Sequence, residues 1–158
     1  MRDNPDTIDL VEVHQSHLDV FFQNQQDPEA NELAKVFPRD RDDFDAHWLR
    51  IMSNPEVIAR SIMFNGEVVG NINAFDVDDE LNVGYWITKS HWGKGIATKA
   101  LSDLLQIVQI RPIIARVAMN NTGSIRVLET NGFVKTTEVD SPATDRYAAC
   151  LEGVYRLE

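Results

Sequence analysis

One stretch of this 158-residue chain combines residue types and spacing suited to holding an anion: Val83-Gly84-Tyr85-Trp86-Ile87-Thr88-Lys89-Ser90-His91-Trp92-Gly93-Lys94-Gly95-Ile96-Ala97-Thr98. It reads as a strand, a short glycine-bearing loop and the opening of a long helix. The first N–H groups of a helix have no intrahelical partner, and the helix dipole adds partial positive charge there. Gly93 and Gly95 place no side chain between those donors and a bulky anion, so the run from Gly93 to Thr98 can cradle a pyrophosphate without a basic surface. The same residues would also serve a plain strand–loop–helix connection in which the glycines only make the turn. Two nucleotide-binding patterns do not fit. A Walker loop needs Gly-Lys-Ser/Thr, and Lys94 is followed by Gly95; a dinucleotide fingerprint needs a third glycine where Thr98 stands.

Other chemistry is sparse. Cys150 is the only cysteine, so an internal disulfide or a multi-cysteine zinc site is excluded, and a small core residue is the expected role. His14 and His17 are three apart with nothing nearby to complete a metal site, and His47 and His91 stand alone; all four are expected at the surface, and no metal is expected. The formal net charge of −10 opposes nucleic acid and anionic lipid. It suits a cationic partner such as an amine, and equally suits simple solubility. No apolar run approaches the roughly 20 residues of a membrane helix. The opening MRDNPDTIDL has neither a basic nor an apolar leader region, so a cytoplasmic protein is expected.

The elements that must position the cradle can be read from hydrophobic period and turn residues. A strand is expected from Ile8 to Val13 and a helix from Ser16 to Gln26 that buries Leu18, Phe21 and Phe22. Asp27 caps a short helix opened by Pro28 and running through Ala34. A further helix from about Asp40 to Met52 should bury Phe44, Trp48, Leu49 and Met52. Strands at Val57–Phe64 and Glu67–Phe75 flank Asn65-Gly66, a strong hairpin signal, and the acidic turn Val77–Glu80 leads to a third strand, Leu81–Thr88. Beyond it come a helix from Gly95 to Ile110, a strand Ile113–Ala118, a helix Thr122–Thr130 closed by Asn131-Gly132, and strands Phe133–Val139 and Leu151–Leu157. The expectation is one α/β (α+β) domain over 1–158, a mixed, mostly antiparallel sheet with helices on both faces.

Gly84-Tyr85-Trp86-Ile87 followed by His91-Trp92-Gly93-Lys94-Gly95-Ile96-Ala97-Thr98-Lys99-Ala100-Leu101 resembles motif A of the GNAT N-acetyltransferase superfamily. Asn121-Thr122-Gly123-Ser124-Ile125-Arg126-Val127-Leu128-Glu129-Thr130-Asn131-Gly132-Phe133 resembles the second signature of its ribosomal-protein N-terminal acetyltransferase branch. The resemblance implies acetyl-CoA as cosubstrate and direct attack of a primary amine, of a protein N-terminus or a small molecule, on the thioester. It implies cofactor contacts from Trp86, Ile87, Thr88, Trp92, Gly93, Lys94, Gly95, Ile96, Ala97 and Thr98, with backbone donors near Trp86 to Thr88 polarising the carbonyl. It further implies that Asn121 contacts the cofactor near its thiol end and that Ser124 protonates the departing thiolate; Ser124 could instead cap its own helix. Many relatives carry a carboxylate base two residues before the Gly-Tyr-Trp glycine, where this chain has Asn82. Glu80 faces the same side of an extended strand and is the best replacement, or a solvent-exposed turn residue. Trp86 could border the acceptor pocket, and Phe21, Phe22, Phe37 and Trp48 could line it or fill the core. A homodimer follows from the resemblance alone. The rival reading is a CoA-binding sensor or structural module without catalysis, and a second is a nucleotide-binding regulatory domain.

Overall fold

The computed structural model describes residues 5–158. β1 (Ile8–Glu12) is followed by a one-turn 3-10 helix and by α1 (Leu18–Asn24), α2 (Pro28–Ala34) and α3 (Arg41–Ser53). A meander of β2 (Ile58–Phe64), β3 (Glu67–Val77) and β4 (Glu80–Ile87) comes next. The chain then alternates through α4 (Ile96–Ile107), β5 (Ile113–Ala118), α5 (Thr122–Thr130), β6 (Val134–Ser141) and β7 (Cys150–Leu157). The seven strands form one sheet in the order β1-β2-β3-β4-β5-β7-β6. Every neighbouring pair is antiparallel except β4 and β5. This is the expected mixed, mostly antiparallel sheet.

The local signals explain the boundaries. Asn65 and Gly66 take φ of 51° and 82°, the pair of left-handed residues that a tight hairpin requires. Asp78 and Asp79 do the same at the β3–β4 turn, with φ of 50° and 65°. Asp27 accepts a hydrogen bond from Glu29 N–H (3.0 Å), and Asp40 accepts one from Asp43 N–H (2.9 Å), so both helices that follow are capped by carboxylates. Strand alternation separates the faces. Leu81, Val83, Tyr85 and Ile87 of β4 point toward α4 and α5, into a core with Ile62, Ile72, Leu101, Leu104 and Leu128. On the opposite face Leu18 and Phe21 of α1 pack with Phe44 and Trp48 of α3 against Ala59 and Val68.

Four expectations are corrected. Leu49 and Met52 are 68% and 42% exposed; α3 buries the narrower stripe Phe44, Trp48 and, in part, Ile51, and the two long side chains lie on its flank. α4 ends at Ile107, because Val108 is extended and buried in the core while Arg111 donates hydrogen bonds to the carbonyl oxygens of Leu105, Val108 and Ile110. His17 is half-buried, with Nδ1 2.7 Å from the fully buried Ser61 Oγ. Cys150 is half-buried at the start of β7, and its thiol is raised by desolvation and then by Glu152. Among the described residues, no helix is long and apolar enough to cross a membrane, and no three His, Cys, Asp or Glu side chains gather as a metal site.

Candidate active site

β4 and β5 pair only at Leu81↔Ile113 and Asn82↔Ile114. From Val83 onward the edge of β4 that faces β5 therefore has no strand partner, and the sheet opens. A cleft of about 500 Å³ occupies this opening. Its walls are the end of β4 (Tyr85, Trp86, Ile87), the loop and first turn of α4, the first turn of α5, and Ala30, Leu33 and Ala34 of α2.

At one wall, Gly93 and Gly95 adopt φ of 77° and 75°, the left-handed region that a side chain resists. A Cβ added at either would meet no protein atom within 4 Å, so both glycines open onto free space. Gly95 is the N-cap of α4 and offers no side-chain cap, which leaves the first N–H groups of the helix for a ligand. Trp92, Ile96, Ala97 and Thr98 line the same wall. Lys94 does not: its Nζ lies 5.4 Å above the Phe64 ring.

On the β4 edge, Thr88 N–H donates to Val69 O (2.7 Å), and its hydroxyl donates to Asn24 Oδ1 (2.9 Å). Thr88 thus points into the β3 side and is not available to the cleft. Ile87 O accepts from the Trp92 indole N–H (2.8 Å), which turns the Ile87 peptide edge away from β3. By strand alternation the Ile87 N–H faces the opening while that of Trp86 faces β3. Of the three backbone donors expected here, Ile87 is the one aimed into the cleft.

The opposite wall is the start of α5. Asn121 Oδ1 accepts the Ser124 N–H (3.3 Å) and is the N-cap. The capping role open to Ser124 therefore belongs to Asn121. Ser124 Oγ instead lies 2.7 Å from the Tyr85 hydroxyl, which also approaches Ser124 O at 3.2 Å. Burial pushes the Tyr85 phenol up to about 12, with the Ser124 hydrogen bond opposing the rise, so the phenol holds its proton at neutral pH.

The structure does not bring Glu80 or Asn82 to this place. Glu80 is exposed at the first position of β4, and Asn82 is buried with its amide donating to Glu80 O (3.0 Å). Among the described residues no carboxylate lines the cleft. Phe21 and Trp48 stack at 4.9 Å in the second core, Phe22 packs on Phe44, and Phe37 is exposed; none of the four reaches the cleft, whereas Trp86 does. Sequence reading missed His91, Arg126 and the α2 residues as lining, and missed Tyr85 as the partner of Ser124. The glycine–tyrosine–tryptophan run marked Tyr85, but its partner lies 39 residues away and only the fold joins them. α2 is tied down by Lys89, whose Nζ lies 2.5 Å from Glu29 and 3.8 Å from Asp27.

A family model described as an acetyltransferase (GNAT) domain matches residues 8–134. The chain is 25% identical over 130 residues to the uncharacterised N-acetyltransferase p20 of Bacillus licheniformis, a match covering 74% of this chain and 73% of that protein. It is 27% identical over 95 residues to YdaF of Bacillus subtilis strain 168, a candidate ribosomal N-acetyltransferase, covering 56% of this chain and 52% of that one. Among solved structures, the ribosomal L7/L12 α-N-protein acetyltransferase RimL superimposes with a TM-score of 0.79 at 18% identity, covering 96% and 90% of the two chains. The microcin C7 self-immunity acetyltransferase MccE, solved with acetyl-CoA and AMP, gives 0.77 at 17% identity, covering 95% and 91%. At these identities both structures speak for the fold.

Proposed function

We propose that this chain, which belongs to the GNAT acetyltransferase family, takes acetyl-CoA as cosubstrate and acetylates a primary amine by direct attack, with the chemistry centred between Ile87 and Ser124. The observation that carries this reading is that one cleft holds both the open N-terminus of α4 and the Tyr85–Ser124 hydroxyl pair. The α4 donors bounded by Gly93 and Gly95 would take the pyrophosphate. Asn121, Trp92 and the first turn of α4 would line the path of the cofactor toward its thiol end. The amine nitrogen forms a bond to the carbonyl carbon as the C–S bond breaks; the Ile87 N–H stabilises the charge that develops on the carbonyl oxygen. Ser124 delivers its proton to the departing thiolate and recovers one from the Tyr85 phenol, which returns to its protonated state from solvent.

Among the described residues no carboxylate lines the cleft to take the amine's proton, and in this reading the acceptor enters as the neutral amine and its surplus proton leaves to water. Protein N-termini and small amines both satisfy this chemistry. The resemblance to the ribosomal branch favours a protein N-terminus, whose ordinary pKa near 8 leaves a substantial neutral fraction at physiological pH. The test is release of free thiol from acetyl-CoA in the presence of peptides bearing free N-termini and of a panel of small amines. Saturable, amine-dependent release with a matching mass increase on the acceptor is expected. CoA binding without release for any amine would leave a binding module and refute the reading.

A further inference from the structure

α2 lines the cleft with Ala30, Leu33 and Ala34, and its two ends are held differently. Its N-terminal end is fixed to the β4–α4 loop through Lys89. Its C-terminal end is stitched to the segment before β7: Val36 bridges Tyr147, Phe37 N–H donates to Arg146 O (2.7 Å), and Ala148 N–H donates to Lys35 O (2.8 Å). This stitching fixes Arg146 beside the α2–α3 connection that carries Arg39. Arg50 and His47 of α3 join them.

Such a gathering of cations is out of keeping with a chain of net charge −10. Among the described residues, Arg39, Arg50 and Arg146 form no ion pair. The field of Asp43 reaches Arg39 without a salt bridge forming, and the Tyr147 phenol is the other group that favours its charge. Arg146 also buries one guanidinium nitrogen, Nη1, with no hydrogen-bond partner. Desolvation lowers both Arg39 and Arg146, with Arg50 repelling Arg39 and Arg39 repelling Arg146, and desolvation followed by the three arginines holds His47 down to about 4, neutral at pH 7. A buried donor without an acceptor and like charges drawn partly out of water each cost stability. One oxyanion relieves both, because guanidinium forks match carboxylate and phosphate in geometry and charge.

We propose that Arg39, Arg50 and Arg146 form a binding site for an oxyanion carried by the acceptor, so that the preferred substrate is an amine bearing a carboxylate or phosphate. The inference rests on the acetyl-transfer reading above. Its physical basis is continuity: Ala30, Leu33 and Ala34 of α2 line the cleft, and the segment after that helix carries Arg39 and is pinned to Arg146 through the Phe37 N–H.

Two measurements test it. The first compares acceptor peptides with a free N-terminus that differ at one nearby position, Glu against Gln and phosphoserine against serine. The anionic member of a pair should show kcat/KM about tenfold or more above the neutral one, the size expected of a charge-assisted hydrogen bond. In Arg39→Gln and Arg146→Gln that ratio should fall toward one. Preference for Glu alone or for phosphoserine alone identifies the oxyanion. The second titrates inorganic phosphate into CoA-saturated protein, so that the cradle is filled, and follows the melting temperature. Phosphate should stabilise the native chain more than chloride at equal ionic strength, and should not do so in the Arg39→Gln/Arg146→Gln double variant. Without phosphate that variant should melt no lower than the native chain, since it loses repulsion and an unpaired donor. A ratio of one in the native enzyme, phosphate stabilisation that survives in the double variant, or a double variant that melts lower would each overturn the site. If no amine is acetylated, the transfer reading fails and the phosphate titration still decides whether the anion site exists.

Discussion

Gly95 and Gly66 make a matched pair for testing whether the α4 N-terminus is an anion cradle. Both take left-handed φ, 75° and 82°, and a Cβ at either meets no protein atom within 4 Å. Gly95 opens onto the cleft, whereas Gly66 sits in the β2–β3 turn away from it. Alanine at either position carries the same backbone penalty, about 1–2 kcal/mol for an L-residue held left-handed. In a chain of this length that is a loss of about 2–8 °C in melting temperature. Only Gly95→Ala also puts a methyl group where the pyrophosphate must approach the backbone. Losing one charged hydrogen bond of about 1.5–3 kcal/mol predicts a Kd for CoA roughly 10- to 100-fold weaker. Gly66→Ala should leave that Kd unchanged, and Lys94→Ala should weaken it less than Gly95→Ala, since the Lys94 side chain lies over Phe64. Chemical denaturation and calorimetric titration on the three variants supply both quantities. A Gly95→Ala protein that binds CoA within threefold of the native chain, or a Gly66→Ala protein equally impaired, would refute the cradle.

Ser124→Ala should lower kcat by about 10²-fold or more, the scale of a positioned acid, with melting temperature nearly unchanged. Asn121→Ala, which removes the α5 cap, should cost about 1 kcal/mol of stability; the reverse pattern in the two variants would exchange their roles. The log of kcat/KM should rise with pH toward the acceptor's own pKa, with Glu80→Gln changing the rate less than about tenfold; a larger loss would make Glu80 a base despite its exposure. His47, held at about 4 when folded, takes up protons more readily when unfolded, near pH 6.5. Stability should therefore fall as pH drops from about 6.5 toward 4, by on the order of 1 kcal/mol once solvent screening is allowed for. Urea melts of His47→Gln should show a flatter slope across that window, and an unchanged slope would show that His47 titrates normally.

What could be read in the sequence was whatever depends on a residue and its immediate neighbours. Asn65-Gly66 set a hairpin because the two left-handed positions are a property of the turn itself. Asp27-Pro28 began α2 for the same kind of reason, and Gly93 and Gly95 marked the left-handed turn that opens α4. What could not be read depends on separation along the chain. The opening between β4 and β5 exists because only two residue pairs join these strands, and nothing local in either strand states that. The role of Ser124 turned on whether Asn121 took the cap and whether Tyr85 came within reach, and both are settled by how α5 lies on the sheet. Leu49 and Met52 fit a helical stripe on paper, but the stripe that α3 buries is set by the width of the surface beneath it. Glu80 and Asn82 share a strand side, yet the cleft begins farther along β4, beyond the reach of either.

The acidic composition becomes intelligible once anions are assigned to regions of different physics. At the cradle the donors are backbone dipoles, whose effect dies away within the first turn and which need no net charge on the protein. The lysines near it are committed elsewhere: Lys89 to Glu29 and Asp27, Lys99 to Asp103, and Lys94 to the face of Phe64, while Arg126 lines the cleft itself. A fixed set of dipoles in a cleft selects an anion that fits, while the surrounding acidic surface repels polyanions that do not. Near the end of α2 the arrangement is inverted. Arg39, Arg50 and Arg146 form no ion pair among the described residues, so that patch attracts at longer range and responds more strongly to salt. On the two proposals, an acidic protein takes up an anionic cosubstrate by shape and admits a second anion by charge, and the two are kept distinct because the cleft lining includes α2 but none of Arg39, Arg50 and Arg146.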